Sequence, residues 1–210
     1  EALIANDGMD SYRRKAWILT YDDMLNEMPY DDPTHKGIKS KNGVFGNAGY
    51  WSYKKAPLRS DLLANETANT QQNHIVMRYA EVLLLYAEAC AKSSDDGSGL
   101  AALNAIQKRA GSKHISSALT MEEIKNEKRF ELFLEGCRFY DLVRWGDAPK
   151  VLGEQGKSVP TAYDKINEGA SEHELYVKYD SYNKTYGFKA GKHELMPFPF
   201  AEININENIV

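Results

Sequence analysis

The chain has 210 residues, 42% of them apolar and 27% charged, enough for one domain with its own core. No stretch approaches the roughly eighteen consecutive apolar residues that a membrane helix needs. A net charge of -4 argues against nucleic acid, whose phosphates call for a basic surface.

Residues 1–75 carry little periodicity. The first ten, EALIANDGMD, have neither a basic n-region nor an apolar h-region, so they are not a signal peptide. They do not open on methionine, and the chain reads as a fragment or a processed product. Pro29, Pro33 and Pro57 break long helices, which leaves loops with short strands or helical turns. Trp17, Tyr50, Trp51 and Tyr53 lie in this stretch, with Asn42, Asn47, Arg59 and Asp61 near them in sequence. Aromatic faces stack on the apolar faces of sugars, and hydroxyls need Asn, Asp and Arg. Trp17, Tyr50, Trp51, Tyr53 and Arg59 are therefore the candidate glycan-binding residues. The alternative is that Trp17 and Trp51 anchor loops to the core.

Order begins with RYAEVLLLYAEACAKS (78–93), a helix free of Gly and Pro. Tyr79, Val82, Leu83, Tyr86, Ala87 and Cys90 recur at three- and four-residue steps and predict its apolar face. Glu81 and Glu88, seven apart and with Arg78 nearby, are expected to meet arginines of a neighbouring helix. After SSDDGSG comes LAALNAIQKRAG (100–111), a second helix closed by Gly111. Two antiparallel helices with a short loop form a helical hairpin, the unit of tetratricopeptide-like solenoids, and one hairpin needs further partners. Thr120 and Glu123 make a capping box for a third helix reaching about Glu135. Phe130, Phe133, Leu134 and Cys137 predict its stripe. Gly136 marks a break or a close helix contact, and a short helix over 138–145 turns Phe139, Leu142 and Val143 inward. Beyond residue 147 the pattern fades. Residues 175–199 alternate loosely, as a hairpin would. The end, LMPFPFAEININENIV, predicts an extended segment packed by Leu195, Met196, Phe198 and Phe200.

The densest charge lies in NEKRFELFLEGCRFYDLVRWG, residues 126–146. Glu127, Glu131 and Glu135 share a helical stripe, while Arg129 faces elsewhere. Glu135–Arg138, Arg138–Asp141 and Asp141–Arg144 have ion-pair spacing. Glycoside hydrolysis needs two carboxylates beside a cleft, one with its pKa raised. Arginines within reach of each glutamate would hold these ionised instead. A structural ion-pair network is thus the first reading. A glycoside hydrolase using Glu127, Glu131 or Glu135 is an alternative, as is a helical-repeat adaptor for a protein partner. Cys90 and Cys137 read as small buried hydrophobes, and the five scattered histidines carry no metal-ligand spacing. No cofactor and no metal site is implied.

Three stretches together resemble the C-terminal half of the SusD/RagB family. The first is RYAEVLLLYAEA followed by ALNAIQKRAG. The second is the 126–146 segment, with Arg129, Glu131, Leu132, Glu135, Gly136, Arg138, Asp141, Leu142, Arg144 and Trp145 on the family's signature. The third is LMPFPFAEININENI. The resemblance implies a mainly α fold: a SusD-like C-terminal portion with tetratricopeptide-type helix pairs, large irregular loops and minor β. Its expected organisation is a single domain over 1–210, with a loop-rich insertion (1–75), a helical core (76–146) and an irregular C-terminal region (147–210). It also implies a non-enzymatic glycan-binding lipoprotein of the cell outer membrane that works with a SusC-like TonB-dependent transporter. A longer N-terminal half of the same protein would carry the lipid anchor. On this reading Arg78, Glu81 and Glu88, with the signature residues, are scaffold.

Overall fold

The computed structural model describes residues 2–20, 23, 50–56, 73–94, 96–155, 158–164, 175–181, 187–206 and 208. Among these the chain is mostly helical. In order come α1 (Ala2–Asp7), α2 (Tyr12–Trp17), β1 (Ile18–Thr20), β2 (Tyr50–Ser52), α3 (Tyr79–Lys92) and α4 (Ser98–Ala110). Then follow α5 (Met121–Glu131), α6 (Cys137–Trp145), α7 (Ala148–Leu152), β3 (Ser158–Asp164), β4 (Leu175–Ser181) and α8 (Phe200–Ile205). Two compact units result: residues 1–138 with 161–178, and residues 139–160 with 179–210.

The core of the first unit lies where α3 packs against α4 and α5. Ala80, Leu84, Ala87, Leu103, Ile106, Ile124 and Leu132 are buried together there. The predicted face of α3 is thereby corrected. Ala80, Leu84, Ala87 and Glu88 point inward, whereas Tyr79, Val82 and Tyr86 are exposed. The cause is that α3 is apolar on nearly every side, so periodicity did not select a face. Small side chains at Ala80 and Ala87 permit close helix approach and decided it. Helix α4 ends where predicted: Gly111 at φ +67 donates its N–H to Gln107 and Lys108 carbonyls.

Helix α5 starts at its predicted cap, where Thr120 Oγ1 accepts from the Glu123 N–H at 3.2 Å. The Glu123 carboxylate does not close a capping box. It accepts instead from Ser116 Oγ (2.8 Å) and lies 2.7 Å from His114 Nε2, tying the preceding loop to the helix. The helix also ends earlier than predicted, at Glu131. Leu134 turns left-handed at φ +62 and Gly136 at φ +83. Such backbone cannot continue an α-helix, so Phe133 and Leu134 leave the expected stripe and are exposed. Open space surrounds Gly136 where a Cβ would stand, so it serves the break and not a close helix contact. In α6 Leu142 is buried, while Phe139 and Val143 are half-buried.

Strands β1 and β2 pair antiparallel, with Leu19 opposite Trp51 and Thr20 opposite Tyr50. The Tyr53 N–H extends the contact to the Trp17 carbonyl at 2.8 Å. Strand β4 does pair, but with β3 from upstream in the sequence, so the hairpin placed within 175–199 is corrected. The C-terminal expectation also fails. Pro199 begins a helix at Phe200, and Leu195, Met196, Phe198 and Phe200 are exposed, Leu195 to 83%. Prolines 197 and 199 keep that segment extended, but extension alone supplies no packing surface.

Candidate functional site

Three short elements and three helix ends carry charged side chains to one place. Helix α2 is capped by Ser11, whose Oγ accepts from the Arg14 N–H at 3.2 Å. That turn buries Arg13, which forks onto Asp7 at the end of α1, with Nε to Oδ2 at 2.6 Å and Nη2 to Oδ1 at 2.7 Å. Arg13 Nη1 also donates to Glu127 and to Glu131 Oε2, the latter at 3.1 Å. Arg78, just before α3, makes a second fork onto Glu135, at 2.7 and 2.8 Å. Its Nη1 reaches Glu131 Oε1 at 2.6 Å. Lys54, in the turn after β2, donates to the Glu131 carbonyl at 2.9 Å and to the Glu135 carboxylate. Arg109, in the last turn of α4, donates to Glu131.

Glu131 is the centre of this arrangement. Its side chain is 0% exposed and it holds Arg13, Arg78 and Arg109 at once. A buried carboxylate is tolerable only under such pairing. The electrostatics follow. Burial alone would raise the Glu135 pKa, but hydrogen bonds from Arg78 and Lys54 outweigh it and hold the carboxyl below its ordinary range. Asp7 is lowered in the same way, with burial overcome by bonds from Arg13 and Asn6. Glu127 goes the other way. Burial pushes it up against the Arg13 bond, and the charges of Glu131 and Asp7 add to the rise. The expectation that arginines depress every glutamate of the stripe is thus corrected at Glu127. Burial depresses Lys54 to about 8, with the Arg78 charge adding to that effect against the pull of Glu135.

Above the cluster lies a cleft of about 370 Å³, lined by Tyr12, Trp17, Lys54, Arg78, Arg109 and Ile75 among others, with Glu131 and Glu135 in its wall. The Lys54 ammonium sits 3.5 Å from the Trp17 ring centroid.

Of the candidate aromatics, Trp17 lines this cleft, and Tyr50 and Trp51 belong to the strand paired with Trp17's neighbours. Tyr53 bonds Trp17 through its backbone. Arg59 lies outside the described residues. Among the signature residues, Arg78, Glu131 and Glu135 meet as just described. Asp141 accepts from Arg144 at 2.9 Å, and Arg144 lies 5.3 Å from the Trp145 ring. Arg138 donates to the Lys125 carbonyl at 3.5 Å, and exposed Arg129 lies beside the Phe130 ring. The partners seen for Glu81 and Glu88 include a thiol and two lysines. Glu81 accepts from the Cys137 thiol at 3.4 Å, and Glu88 meets Lys92 and Lys128. Arg78 cannot serve them, because its extended backbone at the N-cap sends it toward Glu131 and Glu135 instead. Both cysteines are half-buried, less enclosed than predicted. Asp7, Arg13, Lys54 and Arg109 were missed. Arg13 and Glu131 are 118 residues apart, and no spacing rule joins them.

The cleft is thus walled by aromatics and cations, with Glu131 and Glu135 both bonded to cations. The chain belongs to the SusD family, whose profile matches residues 6–210. It is 38% identical over 80 residues to a SusD-like protein of Bacteroides ovatus, covering 37% of this chain and 14% of the relative. To SusD-like protein P2 of Formosa agariphila it is 34% identical over 115 residues, covering 49% of this chain and 23% of the relative. Among solved structures it resembles a laminarin-binding SusD-like protein, with TM-score 0.55 and 27% identity. That match covers 91% of this chain and 33% of the other. The chain thus spans a third or less of these proteins. Proteins of the family are glycan-binding, non-catalytic and associated with the outer membrane. Among the described residues no helix is long and apolar enough to cross a membrane.

Proposed function

We propose that the chain is the C-terminal portion of a surface lipoprotein that captures glycan and passes it to a SusC-like TonB-dependent transporter. It binds oligosaccharide or polysaccharide and does not cleave it. The observation that carries this reading is the family match across nearly the whole chain, joined to a solved relative named for laminarin binding. The state of the glutamates supports it. Glu131 and Glu135 are bonded to cations, and Glu127 is buried behind Arg13, so none of the three is a free carboxylate facing a proton donor among the described residues. Trp17, Tyr50, Trp51, Tyr53 and Arg59 remain the proposed contacts of the glycan.

The test is electrophoresis of the protein through gels containing a panel of polysaccharides, with reducing ends assayed in parallel. Retardation by a glycan without new reducing ends is expected, and Trp51→Ala should weaken it while the melting temperature holds. New reducing ends that disappear in Glu131→Gln would overturn the reading.

A further inference from the structure

The cleft beside Trp17 separates its charges by depth. Its wall holds five cationic side chains, Arg13, Lys54, Lys55, Arg78 and Arg109, against Glu131 and Glu135. With Asp7 and Glu127 behind Arg13, the described residues of the cluster carry five formal positive charges against four negative ones. The carboxylates lie at the bottom, with side chains 0% and 12% exposed. Arg109 stands at the mouth, its side chain 57% exposed. One Arg109 nitrogen is committed to Glu131, while Nε and Nη1 make no bond to the described residues. Lys55 is exposed and has no ion pair among the described residues. In a chain of net charge -4, the described residues at this mouth thus include two exposed cations, Arg109 and Lys55.

An open aromatic ring stands beside those cations. The Trp17 ring already receives the Lys54 ammonium. Tyr12 is 75% exposed, yet its position is set: a Cβ on Gly111 would come within 2.8 Å of the ring. Only the bare glycine at the left-handed end of α4 leaves room for it. A positioned aromatic face, a guanidinium with two nitrogens unbonded among the described residues and an exposed ammonium together suit a sugar that carries an anionic group.

We propose that this cleft is a subsite for an acidic sugar residue, with its carboxylate or sulfate ester on Arg109 and Lys55 and its ring against Tyr12. The inference rests on the glycan-binding reading and narrows it to anionic polysaccharides. Carboxylate and sulfate offer the same chemistry here, a planar or tetrahedral oxyanion with several acceptors.

The experiment titrates the protein calorimetrically with three probes: oligogalacturonate, a sulfated galactan oligosaccharide and a neutral oligosaccharide of equal length. Binding of one or both acidic probes is expected, weakening as salt rises. Which of them binds distinguishes carboxylate from sulfate. Lys55→Gln and Tyr12→Ala should each reduce that affinity by about tenfold, with melting temperature unchanged. Arg109→Gln should do so more strongly, but it also releases Glu131, so Lys55 and Tyr12 decide the matter. Acidic-probe affinity unmoved by both variants overturns the subsite. Binding of the neutral probe alone also overturns it and leaves the glycan-binding reading standing. Retention of no carbohydrate, on this titration and on the polysaccharide gels, removes both.

Discussion

Helices α3 and α5 lie side by side in the same core, yet α3 buries mainly small and apolar side chains and α5 mainly charged ones. Along α3 nearly every position is apolar, and Tyr79, Val82 and Tyr86 end on the surface. Along α5 charge predominates, and Glu127, Lys128 and Glu131 end inside with Ile124 and Phe130. Apolar content set neither orientation. On α3 the small side chains chose the face, because they let α4 come close. On α5 the available partners chose it, because Arg13, Arg78 and Arg109 converge on one carboxylate. Charge enters a core where its counter-ions are already placed, and an apolar face stays outside where nothing of matching shape meets it.

The comparison breaks most readily at Arg13. Arg13→Ala would strand Asp7 and Glu127 in the interior and take one of three cations from Glu131, and should cost about 4 kcal/mol in a urea unfolding titration. A cost below that of an exposed ion pair would mean the cluster is solvated. Next comes Leu84, fully buried on α3, where Leu84→Ala should cost about 3 kcal/mol by the same titration. Glu135→Gln tests the electrostatics through pH. Its carboxyl is held below the ordinary 4.5, so its contribution is complete above that value and is lost as pH falls through the lowered one. Glu127, raised by burial, has the opposite sign: its contribution is complete below 4.5 and is lost as pH rises through the raised value. The melting temperature of the Glu135→Gln protein should therefore fall less steeply than the parent's between about pH 5 and pH 3. An identical acid limb would remove Glu135 from the linkage. The smallest effect is expected at Tyr79. Tyr79→Ser should shift stability by no more than about 0.5 kcal/mol, despite its place in the predicted stripe. A large loss would restore that stripe to the core.

Local chemistry made part of this legible. Thr120 before a charged first turn announced α5, and Gly111 announced the end of α4. The glutamates at four-residue steps announced a network. Its partners were not legible, because Arg13 and Lys54 sit in segments too short to show a period, and their distances in sequence exceed any helical rule. The face of α3 was not legible because a helix apolar all round gives a periodicity argument nothing to select. The early end of α5 was hidden for a related reason. Nothing in Phe130 to Glu135 disfavours a helix until Gly136.

That early end sets local preference against the assembled protein. Leu134 adopts a backbone that a leucine avoids by roughly 1–2 kcal/mol. Beside it Glu135 is clamped by Arg78 and Lys54. A peptide covering residues 120–136 should run helical through Leu134, one turn further than the folded chain allows. Folding would then include a small unwinding, completed only when Arg78 and Lys54 arrive, so that the last turn of α5 is a frustrated segment resolved by contacts distant in sequence.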